Sequence, residues 1–498
     1  MPERHGPGNR VLEVDLKQRT HSVVAISSEE RKHYLGGKGL GLKLLYDRLR
    51  PGTDPLGPDN ILIVMPGVLM GTGAPCSGRF HALAKSPLTG LITTSSCGGP
   101  FGMQLKTAGW DGLILRNASD APVCVDIDAT GAAFEPAEEI WGLEISAAQS
   151  ALTDKKRAGL VIGPAGENRV LFANIASGHR FLGRGGLGAV LGSKLVKAVR
   201  CRGGEHTVRP VHRAEFEKLK KRGNRYITRN EMTGHLYRNF GTRANVNPNN
   251  ACGILPVHNF RSGRHDLAHH LSGETVRKIH RPRPNTCIPC SILCGQKGNF
   301  RGNKLAVPEY ETVALMGSNL GIFDSDTLAE WNRLCGELGM DTISSGATLG
   351  FVMEAAENGL IASELRFGNP EGVEEALYDI AYTRGLGREM AQGTKRLSTE
   401  YGGADYAMQV KGLEMAGYDP RGSYGQGLAY AVANRGGCHL SAYLVAMERY
   451  FGLLSADATR AKPEFVAFFE ALTNCINSLQ TCQFTMFAEG LMTVKENP

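Results

Sequence analysis

Arg180-Phe-Leu-Gly-Arg-Gly-Gly-Leu-Gly-Ala-Val-Leu-Gly-Ser-Lys194 is the stretch on which the fold turns. Within it, Gly183-x-Gly-x-x-Gly188 matches the dinucleotide-binding fingerprint, and residues 189–200 read as the helix that should follow. Taken at face value, the chain would be a doubly wound parallel sheet. That fingerprint has force only inside a βαβ unit, between an opening strand and its helix. Here it comes late in its domain, without clear βαβ surroundings, and a mixed α+β chain is the better expectation.

Upstream, residues 10–16 alternate like a strand, as do 61–65, 112–116, 123–127 and 160–163. Glycine clusters at 36–41, 98–102 and 183–188 punctuate them. Past about residue 205 the pattern turns helical, with helix spacing over 213–229, 327–338, 348–357 and 465–479. The expected domains are a β-rich 1–205 and two mainly helical parts, 206–405 and 406–498. No short-period repeat is visible.

Composition removes several classes. The 498 residues hold 63 glycines, about twice the usual ~7% share, with no collagen-like period. Many backbone positions therefore need tight turns or close approach to something bound. The longest apolar stretch, 61–70, contains Pro66 and Gly67 and falls short of the ~20 residues of a membrane helix. A net charge of +7 is too mild and scattered for a nucleic-acid footprint, though it suits an acidic protein or an anionic ligand. The basic run 218–222 reads as a solvated helix face. The start MPERHGPGNR lacks an apolar segment, so a cytoplasmic, reducing location is expected for the twelve cysteines.

Three of those cysteines cluster in Cys287-Ile-Pro-Cys290-Ser-Ile-Leu-Cys294. Zinc usually takes two paired ligand sets, and no second pair follows. An iron–sulfur cluster with a distant fourth cysteine fits better, with zinc or plain buried cysteines as the alternatives. Each glycine loop alone is an ordinary turn. Three of them in one domain, with Arg79, Arg180 and Arg184, point to phosphate oxygens. Pro308-Glu-Tyr-Glu-Thr312 places two acids after the cysteines, either as a general base or as helix-start decoration. His439 in Asn434-Arg-Gly-Gly-Cys-His439 reads by itself as a structural histidine, and His269-His270 as surface.

Together these segments resemble the tungsten-dependent aldehyde:ferredoxin oxidoreductase family. The landmarks occur in family order: Gly36-Gly-Lys-Gly-Leu-Gly41, Ser77-Gly-Arg-Phe80, Ala84-Lys-Ser-Pro-Leu-Thr-Gly90, Gly98-Gly-Pro-Phe-Gly102, the 180–194 stretch and the cysteine motif. Pro308-Glu-Tyr-Glu-Thr312, Gly339-Met-Asp-Thr-Ile-Ser344, Tyr418-Asp-Pro-Arg-Gly422 and Asn434-Arg-Gly-Gly-Cys-His-Leu440 follow. The resemblance implies a two-sheet N-terminal base for a tungsten (or molybdenum) bis-pyranopterin, covered by two helical domains, with one [4Fe–4S] cluster nearby. Residue by residue, Cys287, Cys290, Cys294 and Cys482 match the cluster ligands. Arg79, Gly98, Arg180, Phe181, Gly183 and Arg184 match pterin and phosphate contacts, Met340 and Asp341 those of the second pterin, and Glu311 and His439 the acid–base pair.

This chain departs from the pattern at three positions. Gly336 and Asn477 stand where the family places pterin-contacting Asp residues. Ser96 stands for an Asn that helps hold a magnesium between the pterin phosphates. The C-terminal helical part is also expected to be shorter than the family's. The implied reaction takes an aldehyde and water to a carboxylic acid, with electrons passing to a ferredoxin or iron–sulfur subunit. Homodimers or hetero-oligomers are the implied assemblies. Two alternatives stay open: a subunit of a complex reducing activated aromatic or acyl groups, and a cluster-only relay subunit without tungsten.

Overall fold

The computed structural model describes residues 8–154 and 156–488. Twelve strands before residue 203 form two six-stranded sheets. The first contains β1 (Arg10–Asp15), β2 (Thr20–Ala25), β3 (Leu62–Pro66), β4 (Phe80–Lys85), β5 (Ile92–Cys97) and β6 (Gly112–Arg116), in the order β2-β1-β6-β3-β4-β5. The second contains β7 (Val123–Ile127), β8 (Ala132–Pro136), β9 (Arg157–Val161), β10 (Ile175–Ser177), β11 (Arg180–Leu182) and β12 (Val196–Arg202), in the order β11-β10-β9-β12-β7-β8. Adding six to each strand number converts one order into the other. The pairings match as well: β1–β6 and β7–β12 are parallel, and every other pair is antiparallel. The base is a structural duplication.

That topology disposes of the dinucleotide reading. β11 lies at a sheet edge, separated from β12 by β10 and β9. Three successive antiparallel pairings make β11 and β12 antiparallel, so the segment joining them is no βαβ crossover. The expected helix over 189–200 is also corrected. The helix spans Leu187–Ser193 and the chain then enters β12. Lys197, inside β12, is fully buried because its ammonium bonds Glu167 and the Leu143 carbonyl. That hidden pairing allows a charged residue on a buried strand. The strand expected at 160–163 lies slightly earlier, at Arg157–Val161.

The duplication places two glycine clusters in equivalent positions. Each follows an edge strand (β5 or β11) and precedes a short helix, Phe101–Thr107 or Leu187–Ser193. The two edge strands lie against each other, since the Arg184 N–H reaches the Ser95 hydroxyl at 3.4 Å. One core joins the sheets through Val14, Leu62, Leu113, Val125, Leu160 and Val199. Each such side chain contributes about 1.5–3 kcal/mol on burial.

Beyond residue 203 the described chain is mainly helical. Helix Arg213–Arg229 agrees with its sequence pattern, while Ser325–Leu338, Thr342–Glu357 and Lys462–Leu479 begin two to six residues before the expected starts. Thr342–Glu357 is buried nearly end to end and is capped by Asp341, which accepts from the Ile343 and Ser344 amides. A small sheet of β13 (Arg283–Pro284), β14 (Gln296–Phe300) and β15 (Asn303–Ala306) carries the cysteine motif. The motif fills the loop between β13 and β14, closed by the Asn285 N–H on the Gly295 carbonyl at 2.8 Å. Among the described residues no helix is long and apolar enough to cross a membrane.

Candidate active site

A cavity of about 440 Å³ lies between the two-sheet base and the helical part. Every candidate residue singled out in the sequence lines it: the four cysteines, the contacts on or next to β4, β5 and β11, Met340 and Asp341, Glu311 and His439, and Asn477. The chain thus brings together residues up to about 400 positions apart. Their individual surroundings differ, and the differences decide what the cavity can hold.

At the sulfur end, the Cys287, Cys290 and Cys294 loop meets Cys482, which follows helix Lys462–Leu479. The Cys290 thiol is drawn down to about 6, first by a hydrogen bond with the Cys76 thiol, then by backbone N–H groups against its burial. Burial pushes Cys482 up to about 11 and Cys294 well above its usual range. Bound iron, which takes thiolates, would repay that cost. Gly98 lies so close to the motif that a Cβ there would run into the Cys287 sulfur. Among the described residues no three His, Cys, Asp or Glu side chains converge on one point, as ligands ~2.3 Å from a single zinc must.

Around the base the cavity is cationic. Arg79 donates from Nε to the Ser96 hydroxyl at 3.1 Å and from Nη2 to the Ser96 carbonyl at 2.8 Å. Ser96 therefore faces a guanidinium, a poor neighbour for a magnesium ion. Burial works against the charge of Arg79, yet the thiols of Cys482, Cys287 and Cys97 outweigh it and raise its pKa. Arg180 bonds Glu309 at 3.2 Å and the Asn285 carbonyl at 3.1 Å, leaving its buried Nε without a partner. Lys38 and Arg435 complete the set, and Arg435 Nε is also buried and unpaired. Burial, then the charge of Arg435, lowers the Lys38 ammonium to about 8. Unspent buried donors of this kind need an anion, and phosphate is a natural one.

Arg184 is differently employed. Its guanidinium bonds Asp341 at 3.1 Å, the Gly437 carbonyl at 3.2 Å and the Glu414 carbonyl at 2.7 Å. It ties the base to the helical part, and Asp341 is divided between this pairing and its helix cap. Gly183 presents open space to the cavity. At Gly336 an added Cβ would come within 3.3 Å of the Phe181 ring, which takes up room beside the missing acid. Asn332, one turn earlier on the same helix, also lines the cavity. Asn477 has its carbonyl engaged by the Gln480 amide at 2.8 Å.

The two acids of Pro308-Glu-Tyr-Glu-Thr312 part company. Glu309 is exposed and serves Arg180, whereas Glu311 turns inward just before a π-helical turn, Val313–Gly317. Glu311 Oε2 accepts the Gly417 N–H at 2.8 Å, and its buried Oε1 has no hydrogen-bond partner. Burial raises the carboxyl to about 7 against the pull of that N–H and of Arg184. His439 Nε2 stands 3.5 Å from Oε1. Burial, with Arg184 and Arg435 nearby, lowers His439 well below its ordinary value, so it is neutral at pH 7. The two are not an ion pair: the carboxyl, not the imidazole, holds the exchangeable proton. His439 Nδ1 is likewise unpaired, and Tyr418 and Tyr443, joined through their hydroxyls at 2.7 Å, wall the pair off.

Sequence reasoning passed over Lys38, Cys76 and Arg435. Lys38 lies inside the glycine cluster 36–41, of which only the glycines were read. Arg435 lies within the motif from which only His439 was taken, so a signal for it was present. For Cys76 there was none.

The two domain models of aldehyde ferredoxin oxidoreductase match the chain. The N-terminal domain covers residues 11–203, and domains 2 and 3 cover 218–497. The tungsten-containing aldehyde ferredoxin oxidoreductases of Pyrococcus furiosus and Thermococcus kodakarensis are each 37% identical, over 98% of this chain and 83% of their own length. An aliphatic sulfonate oxidoreductase, WOR-like subunit, from Pyrococcus furiosus is 29% identical over 89% of the chain and 77% of its own. In fold, the chain resembles the active-site complex BamBC of benzoyl coenzyme A reductase solved with 1,5-dienoyl-CoA. The TM-score is 0.83 at 24% identity, over 96% of this chain and 82% of that one. With both domain models matched and this identity held over nearly its whole length, the chain is an oxidoreductase of the tungsten-containing aldehyde ferredoxin oxidoreductase family.

Proposed function

We propose that the protein oxidises an aldehyde, RCHO + H2O → RCOOH + 2H⁺ + 2e⁻, and passes both electrons to a ferredoxin-like acceptor. One observation carries the reading: a buried carboxyl at about 7 beside a neutral histidine, in the same cavity as four cysteines and unspent cationic donors. A tungsten bis-pyranopterin, when bound, supplies a centre that takes up two electrons. Arg79, Arg180, Arg435 and Lys38 would hold its phosphates by charge-assisted hydrogen bonds. Cys287, Cys290, Cys294 and Cys482 would hold a [4Fe–4S] cluster, which would supply an electron relay.

The ionised Glu311 takes a proton from water or the hydrated aldehyde at Oε1, the oxygen without a protein partner. The Gly417 N–H keeps Oε2 fixed and so aims the other oxygen. Neutral His439 orients the substrate oxygen by a hydrogen bond. Tyr418 and Tyr443 keep bulk water out, which preserves the raised pKa of the carboxyl.

Because Glu311 works ionised, turnover rises with pH through about 7 and levels off above it. The test is aldehyde-dependent reduction of a dye by anaerobically purified protein, across pH and a range of aldehydes. That rising limb is the expected result. A metal-replete preparation that fails to reduce the dye with every aldehyde tried, and copurifies with iron–sulfur or flavin subunits, would overturn the reading in favour of a reductase subunit.

A further inference from the structure

A fifth thiol stands beside the candidate cluster ligands. Cys76 is 2% exposed and lines the same cavity. Its thiol is within hydrogen-bonding reach of the Cys290 thiol, and its sulfur also receives the Ser291 N–H at 3.5 Å. Its carbonyl accepts the Cys482 N–H at 2.9 Å, so one residue touches both the motif loop and the distant fourth ligand. Cys76 holds a left-handed backbone, φ +56°. Two residues on, Gly78 packs so tightly on the motif that a Cβ would collide with the Ile288 carbonyl. The 76–78 turn is thus locked against the cysteine loop from outside it.

The direction of the sulfur–sulfur contact follows from the chemistry. A Cys290 that ligates iron has no proton to give, and it already accepts the Leu293 N–H at 3.3 Å. Of the two thiols only Cys76 then carries a hydrogen. We propose that Cys76 is a positioning and tuning residue for the cluster, donating S–H···S to the Cys290 ligand and raising the reduction potential. Donors to cluster sulfurs stabilise the reduced, more negative state and are a recognised control of potential. The four ligand places are filled without Cys76.

This inference rests on the cluster reading of Cys287, Cys290, Cys294 and Cys482. The test is potentiometric titration followed by electron paramagnetic resonance on anaerobic wild type, Cys76→Ala and Cys76→Ser, each with its iron content measured. Expected are equal iron in all three, a lower potential in Cys76→Ala, and recovery toward wild type in Cys76→Ser, which keeps a donor and nearly the same volume. An unchanged potential in Cys76→Ala with iron retained overturns the hydrogen bond. Loss of iron in both variants overturns it too, by making Cys76 a ligand or a structural requirement. Wild type without iron defeats the cluster reading itself, which separates the two failures.

Discussion

Glu311→Gln loses at least about a hundredfold in turnover while its metal and iron contents stay at the wild-type level, the scale expected when a positioned general base is removed. The glutamine keeps an oxygen for the Gly417 N–H and fills the same space, so the cavity keeps its shape. What disappears is the capacity to take a proton. The same substitution stabilises the fold at alkaline pH. A carboxyl whose folded pKa is raised from 4.5 to about 7 is most favourable to folding below 4.5. That benefit is lost as pH climbs through the folded value, because the folded state must then bury a charge. The ionised group therefore costs on the order of 3 kcal/mol above pH 7. Denaturation at pH 5 and pH 8 reads this directly. Wild type and variant should converge at the acid value, with the variant ahead at the alkaline one. Retained activity in Glu311→Gln would remove the carboxyl from the mechanism.

Cys482→Ser loses nearly all cluster iron, and Cys475→Ser loses none. Both cysteines lie late in the chain and either could complete the ligand set by sequence distance. Their settings separate them. Cys475 is exposed on helix Lys462–Leu479, whereas Cys482 lines the cavity and has its backbone held by the Cys76 carbonyl. Burial holds its thiol at about 11, and ligation to iron relieves that cost by replacing the proton. Iron per chain and the visible absorption of the cluster, compared across the two variants, check the assignment. Equal iron in both would place the fourth ligand elsewhere.

Much of the local structure was legible because it rests on local chemistry. Strands at Gly112–Arg116 and Val123–Ile127 and the helix Arg213–Arg229 follow their sequence patterns to the residue. The duplicated sheets were not legible. Strand order depends on which edges meet in space, and two unlike sequences satisfy one topology here. The strand Val196–Arg202 was missed because the pairing of Lys197 with Glu167 is invisible until the chain folds. In the site, residues inside compact motifs such as Cys287–Cys294 or Glu311 could be named in advance. Cys76 could not, since its meaning comes from Cys290, more than two hundred residues away. Arg184 was named for a phosphate, yet its hydrogen bonds go to Asp341 and two carbonyls. Spacing reveals that a charge is wanted nearby, without revealing which partner claims it.

The proposed chemistry requires this cavity to hold both a heavy-metal pterin and an iron–sulfur cluster. Elemental and pterin analysis of protein purified without oxygen tests it most directly. About one tungsten or molybdenum, two pterins and about four irons per chain are expected. Four irons with neither heavy metal nor pterin would contradict it, and would leave a relay subunit that carries only the cluster.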